Sequence, residues 1–283
     1  MTFELPRLLI EPLVRNALVE DLGRSGDITS DSIIPADDVS TMVLEARQPG
    51  VVAGLALASL AFELVDPRIQ LTIEKPDGTT LEPGDIIARV HGPSRGILTA
   101  ERVALNFMGH MSGIASATAA IMAAIQPHKA RVVCTRKTMP GLRIVQKYAV
   151  RVGGGANHRF GLDDAILIKD NHIAVAGSVR AAVARARHAI GHLVKIEVEV
   201  DTLAQLEELI PLEVDAVLLD NMDPDTLRQA VEMVAGRMTT EASGRVTAAT
   251  APAIAASGVD LISIGWLTHS ATVLDIGLDY AGA

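Results

Sequence analysis

From residue 130 onward the chain repeats one pattern, a short apolar run, a polar loop and a helical stretch, and this alternation constrains the fold more than any other feature. The apolar runs are ARVVCT (130–135), AILIK (165–169), KIEVEV (195–200), AVLLD (216–220), MTTEAS (238–243) and LISIG (261–265). Helical patterns lie between them at 141–152, 178–190, 202–210, 224–235 and 247–257. The last three runs start at 216, 238 and 261, 22 to 23 residues apart. Alternation this regular predicts a parallel sheet with helical crossovers, and a closed barrel is its economical form.

Read forward, each run ends on polar residues. These are Thr135 with Arg136 and Lys137, then Lys169, Glu199, Asp220, Ser243 with Gly244, and Gly265. Parallel strands bring all such ends to one rim, where barrel proteins build their sites. In KIEVEV, period-two alternation puts Lys195, Glu197 and Glu199 on one face, turned inward because Ile196, Val198 and Val200 should face the helices. Buried carboxylates need partners. Neutralisation by an inward lysine is the expectation for Glu197, whereas Glu199 and Asp220, nearest the rim, suit Mg²⁺ held through water beside phosphates.

Charge narrows the ligand class. The chain of 283 residues carries a formal charge of −9, which argues against nucleic-acid or anionic-membrane partners. Against that background, residues 131–172 hold eight Lys or Arg and three Asp, a local charge of +5. A cationic patch inside an acidic protein points to a small anionic ligand. Within it, GGGANHR (153–159) joins three glycines to His158 and Arg159. The glycines permit close backbone approach. Two further anion seats are expected at EASGR (241–245), opening a helix at 247, and at Gly265 before WLTHS.

The first hundred or so residues read differently. A helix is expected over 6–22, and strands over 41–46, 69–74 and 86–91 are separated by the turn signals KPDGT and EPGD, which together suggest an α+β layer. LEPGDIIARVHG has the look of a carrier-domain hairpin, but no lysine occupies its turn. Apolar stretches at 51–65 and 112–125 are shorter than a membrane span and read as buried helices. No signal-peptide pattern is read in MTFELPRLLIEP, and the single cysteine, Cys134, leaves no disulfide framework. A cytoplasmic location is the expectation.

TRKTMPGLR, GGGANHRFGL, LIKDNH, EVEV, LLDNM, EASG and GVDLISIGWLTHS occur in that order, preceded by EDLG and GDIT at 20–29. Taken together they resemble the quinolinate phosphoribosyltransferases over nearly the whole chain. The resemblance implies an α/β fold with an N-terminal α/β sandwich over 1–110, to which the tail 268–283 returns. Residues 111–267 would form the incomplete, TIM-like α/β barrel of the type II phosphoribosyltransferases. It further implies a homodimer with shared active sites, Mg²⁺, and conversion of quinolinate and phosphoribosyl pyrophosphate to nicotinate mononucleotide, pyrophosphate and CO₂ in NAD synthesis. On the matching motifs, Arg102 of TAERVALNF would reach the partner's site. Arg102, Arg136, His158, Arg159 and Lys169 would bind quinolinate, and Lys137, Glu199, Asp220, Ser243, Gly244 and Gly265 would serve the phosphoribosyl group and metal. Thr135 joins the substrate contacts, and Lys137, Lys169, Glu199 and Asp220 the catalytic group. Two positions depart from the family pattern: Arg245 replaces a usual second glycine, and Cys134 a common aspartate.

Three other readings compete with this one. A molybdenum-operon relative of the family would act on another pyridine, but LIKDNH differs from those relatives. A Schiff-base sugar-phosphate lyase would use Lys169. A non-catalytic binding or scaffold protein would need neither Lys137 nor Glu199 for any activity.

Overall fold

A computed structural model describes residues 5–281, so Gly282 and Ala283 of the expected returning tail lie outside the described residues, as do residues 1–4 of the stretch read for a signal peptide. The elements in chain order are α1 (Arg7–Leu22), α2 (Ile28–Ile33), β1 (Val39–Ala46), β2 (Gly50–Val51), α3 (Leu55–Val65), β3 (Gln70–Ile73), β4 (Thr80–Leu81), β5 (Ile86–Pro93) and α4 (Ser94–Ala124). There follow β6 (Arg131–Val133), α5 (Arg143–Val152), β7 (Ile166–Ile168), α6 (Asp170–Ala176), α7 (Val179–Ala189), β8 (Ile196–Val200) and α8 (Leu203–Leu209). The chain finishes with β9 (Ala216–Asp220), α9 (Pro224–Val234), β10 (Thr239–Ser243), α10 (Ala251–Ala256), β11 (Leu261–Ser263) and β12 (Ile276–Tyr280).

These elements form two compact units. One comprises the described residues up to Ala119, Thr138–Gly154 and the segment from Leu267, while the other comprises Ala120–Lys137 and Gly155–Trp266. The division thus falls differently from the expected 110/111 boundary: the start of the expected barrel segment and helix α5 pack with the first unit.

In the first unit an antiparallel sheet runs in the order β12-β1-β5-β3. Strand β12 pairs with β1 from Met42↔Tyr280 to Ala46↔Ile276, so the C-terminal tail does return to the N-terminal layer. The core beside it is aliphatic: Leu44, Leu57, Ile87, Ile97, Met108, Met111 and Ile114 are fully buried. The stretch expected as a helix at 112–125 is the end of α4, whose 31 residues are long and apolar enough to cross a membrane. Its Ile97, Val103, Met108, Met111, Ile114 and Ile121 are buried and it carries Arg95, Glu101, Arg102 and His110, the pattern of a core helix. Glycines inside α4 admit the C-terminal segment. A Cβ on Gly113 would lie 2.0 Å from the Thr272 carbonyl oxygen, a backbone atom that cannot rotate away. Gly113→Ala is therefore expected to destabilise the protein by roughly 1–3 kcal/mol despite alanine's better helix propensity, measured by chemical denaturation.

The second unit carries the parallel sheet predicted by the alternation. Its order is β6-β11-β10-β9-β8-β7, so β6 and β7 end the sheet and the closed barrel of the periodicity argument gives way to an incomplete one. Strand β9 coincides with its expected run, and the other five fall inside theirs, shorter by one to three residues. The helix starts follow their caps: Ser178 caps α7, Thr202 and Gln205 form a capping box at α8, and Asp223 caps α9 just before Pro224. Helix α6 had no counterpart in the sequence reading. None of its seven residues is buried, so no apolar stripe announced it.

Candidate active site

The C-terminal ends of the parallel strands surround a cavity of about 350 Å³ within the second unit. Thr135, Arg136 and Lys137 contribute from the end of β6, His158 and Arg159 from the glycine loop, and Lys169 from the end of β7. Glu199, Asp220 and Ser243 contribute from the ends of β8, β9 and β10. The rim inferred from the alternation therefore exists, and nine of the twelve expected residues line one cavity. Gly244 and Gly265 are not among the lining residues, but both are closely packed. At Gly244, with φ +108°, a Cβ would meet Asn221 Oδ1 at 2.3 Å, and at Gly265 it would meet Lys137 Cδ at 3.0 Å. Arg102 is elsewhere: it lies exposed on α4 of the first unit, its guanidinium 3.6 Å from Glu101, and is not among the lining residues.

Two arginines dominate the electrostatics. Arg159 Nη1 donates to the Ala165 carbonyl at 3.0 Å, and burial, followed by the nearby Arg136 charge, lowers its affinity for a proton. Arg136 Nε is buried without a hydrogen-bond partner among the described residues. Facing cations with an unmet donor make a site that awaits an anion.

The carboxylates pair in a way the sequence reading reversed. Glu197, expected to neutralise an inward lysine, instead accepts from His158 Nε2 at 2.7 Å. Lys195, expected inward, is exposed, precedes β8 at the opposite end and bonds half-buried Asp215 at 2.5 Å. Glu199 is the residue that meets a lysine, with Lys169 Nζ 2.5 Å from its Oε2. The reason is reach: Lys169 sits at the strand-end level of Glu199, since Leu167 is in register with Glu197 one pleat below. Asn221 Nδ2 donates to Asp220 Oδ2 at 2.6 Å, so one oxygen of each rim carboxylate, Glu199 Oε1 and Asp220 Oδ1, stays outside these bonds.

Two anion seats also differ from expectation. Residues 247–250 form a turn closed by Thr247 and Thr250 side chains, and the six-residue α10 begins only at Ala251. No helix opens at 247. After Gly265 there is a single 3₁₀ turn, Trp266–Thr268. At Arg245 the backbone adopts φ +44°, the left-handed region that favours glycine, so the replacement of the usual glycine carries a backbone cost.

The cavity also contains Glu241, Ser263, Leu167 and Leu218, which the sequence reading did not select. Glu241 is the notable omission: it is buried on β10, its Oε1 lacks a hydrogen-bond partner among the described residues, and its carboxyl is pushed up to about 8 by burial and then by Glu197. The signal was present, since the period-two alternation that turns Glu197 and Glu199 inward in KIEVEV also puts Glu241 of TTEAS on the face of Ser243.

Comparison with known proteins identifies the family over nearly the whole chain. Sequence models of the quinolinate phosphoribosyl transferase N-terminal and C-terminal domains match residues 27–112 and 114–279. The chain belongs to the quinolinate phosphoribosyltransferase family. Within that family it is 43% identical to a probable nicotinate-nucleotide pyrophosphorylase [carboxylating] of Bacillus subtilis, over 96% of this chain and 93% of that one. It is 45% identical to the nicotinate-nucleotide pyrophosphorylase [carboxylating] of Mycobacterium leprae, covering 94% and 95%. The solved structure of NadC from Streptococcus pyogenes superposes with a TM-score of 0.94 at 42% identity over 99% of both chains. The family models divide the chain near residue 113, close to the expected domain boundary, although packing assigns α5 to the first unit.

Proposed function

We propose that this protein transfers the phosphoribosyl group of phosphoribosyl pyrophosphate to quinolinate with decarboxylation, giving nicotinate mononucleotide, pyrophosphate and CO₂ for NAD synthesis. The observation that carries the reading is the Arg136–Arg159 pair lining one cavity together with Lys169, His158, Glu199 and Asp220. Quinolinate bears two adjacent carboxylates, and guanidinium groups bind carboxylates in bidentate fashion. Arg136, Arg159, His158 and Lys169 hold the diacid, while Thr135, Lys137, Ser243, Gly244 and Gly265 receive the phosphoribosyl and pyrophosphate oxygens.

In the transfer, the pyridine nitrogen bonds to the ribose anomeric carbon as the bond to pyrophosphate breaks. Lys137 offsets charge growing on the leaving group, and the Glu199 and Asp220 carboxylates favour the electron-poor sugar. Loss of CO₂ leaves its bonding pair on the ring carbon next to the now cationic nitrogen, and a proton then completes nicotinate. Oxygen-only donors at the rim fit Mg²⁺, with Glu199 and Asp220 holding it through water. When bound it would neutralise pyrophosphate charge. A Schiff-base lyase would give Lys169 a role but leave the arginine pair without one.

Incubation with quinolinate, phosphoribosyl pyrophosphate and Mg²⁺ is expected to release CO₂ and form nicotinate mononucleotide, and chelation should stop turnover until Mg²⁺ is restored. Absence of product at high enzyme concentration would overturn the assignment. Exposed Arg102 is assigned to the partner's cavity in a homodimer. Mixing Arg102→Ala with Glu199→Ala subunits is expected to restore part of the lost activity, and inactive heterodimers would place Arg102 in its own subunit's site.

A further inference from the structure

His158, Glu197 and Glu241 form a cluster below the rim that the proposed reaction leaves partly unexplained. Their ligand atoms, one from each side chain, all lie within 4.8 Å of one another. Strands β8 and β10 flank β9, and Glu197 and Glu241 pair in register with Ala216 and Leu218 of that strand. His158 closes the third side, with Nε2 2.7 Å from Glu197 and 3.8 Å from Glu241 Oε1. The independent observation is Glu241 itself: it is 2% exposed, and Oε1 has no hydrogen-bond partner among the described residues. Buried carboxylate oxygens are rarely left unmet, and a bound ion is one of the few explanations.

We propose that His158 Nε2, Glu197 and Glu241 form a binding site for one divalent transition-metal ion of the zinc class, separate from the Mg²⁺ seat at Glu199 and Asp220. One imidazole nitrogen and two carboxylate oxygens, with His158 and Glu241 lining the cavity, make a three-ligand set that leaves a fourth position for water or substrate. Bonds of about 2.0–2.2 Å set tetrahedral donors roughly 3.3–3.6 Å apart, so the His158–Glu197 pair, now at 2.7 Å, must open by under about 1 Å and the wider separations, within 4.8 Å, must close by at most about 1.5 Å. A dication balances the two carboxylates, which alone repel each other. Mg²⁺ is disfavoured because it prefers oxygen ligands and gives up its water reluctantly. Binding at Nε2 leaves the neutral imidazole protonated at Nδ1, and it displaces the proton held by Glu241, which passes to buffer. The site itself is independent of the proposed reaction. Its consequence rests on that reading: a metal on His158 removes one contact of the pyridine diacid, so zinc should inhibit competitively with quinolinate.

The test is equilibrium dialysis of the full-length protein against Zn²⁺ in excess Mg²⁺, with calorimetry in two buffers to count protons released. One Zn²⁺ per chain with proton release is expected. Glu241→Gln and Glu197→Gln, each checked for a cooperative melt, should weaken binding by about 100-fold or more, exceeding the loss typical of a supporting partner. No zinc above the Mg²⁺ background, or binding unchanged in whichever of the two variants folds, would overturn the site. Zinc binding without inhibition would leave the site standing and count against His158 as a quinolinate contact.

Discussion

Replacing Arg136 by alanine is expected to lower kcat/KM for quinolinate by about 100- to 10,000-fold while leaving the melting temperature unchanged or raised. Two charge-assisted hydrogen bonds to a carboxylate, each worth about 1.5–3 kcal/mol, set that range. The opposite sign on stability follows from the unliganded site. Arg136 is half-buried with Nε unpartnered among the described residues, and its charge is among the causes that weaken proton binding at Arg159. The folded protein holds two cations together against their repulsion, and the dicarboxylate relieves it. Removing one cation relieves it too, without the substrate. Arg136→Lys keeps the charge but loses the planar fork, so it should recover little activity. Steady-state kinetics with a thermal melt on each variant gives both readouts. Near-normal turnover by Arg136→Ala would remove Arg136 from the diacid pocket.

The second large effect concerns pH. The folded protein holds the Glu241 carboxyl up to about 8, from an ordinary value of 4.5, because burial and then the Glu197 charge oppose ionisation, with His158 acting against them. A raised acid favours the protonated folded state. The associated stability is complete below about pH 4.5 and is lost as pH rises through 8, since the unfolded chain ionises first. At about 1.4 kcal/mol per pH unit this amounts to a few kcal/mol. Glu241→Gln keeps the shape and removes the titration, so the variant should be the more stable one above pH 8 and the gap should close toward about pH 5. His110, lowered by burial, shifts the other way and loses stability as pH falls below 6.5, but it is common to both proteins. Chemical denaturation of both proteins across about pH 5–9 measures the difference. A gap that does not change with pH would show that Glu241 ionises normally.

Much of the second unit was legible because its code is local. Apolar runs, caps and turn residues each act within a few positions, and the parallel strands fell where the runs lay. Gathering Arg136, Lys169, Glu199, Asp220 and Ser243 into one cavity needed only the rule that parallel strands point the same way. Helix α6 has no local signal because an exposed seven-residue helix has no stripe, and the start of the long α4 has a weak one because Gly96 and Gly109 interrupt its pattern, while Gly113 lies in the expected part. Those glycines answer to distant chain at Ile69 and 272–274, which no local window contains.

The sequence by itself determined the alternating architecture, the cationic character of one segment and the residue types delivered to the strand ends, since all three depend on order along the chain. Tertiary structure alone decided the partners: Glu199 with Lys169, Glu197 with His158, Glu241 with an oxygen unmet among the described residues, and a sheet that ends at β6 and β7. Pairing depends on interstrand register and side-chain reach over distances of a few ångströms, and neighbours in space such as His158 and Glu241 are separated by more than eighty positions in the chain.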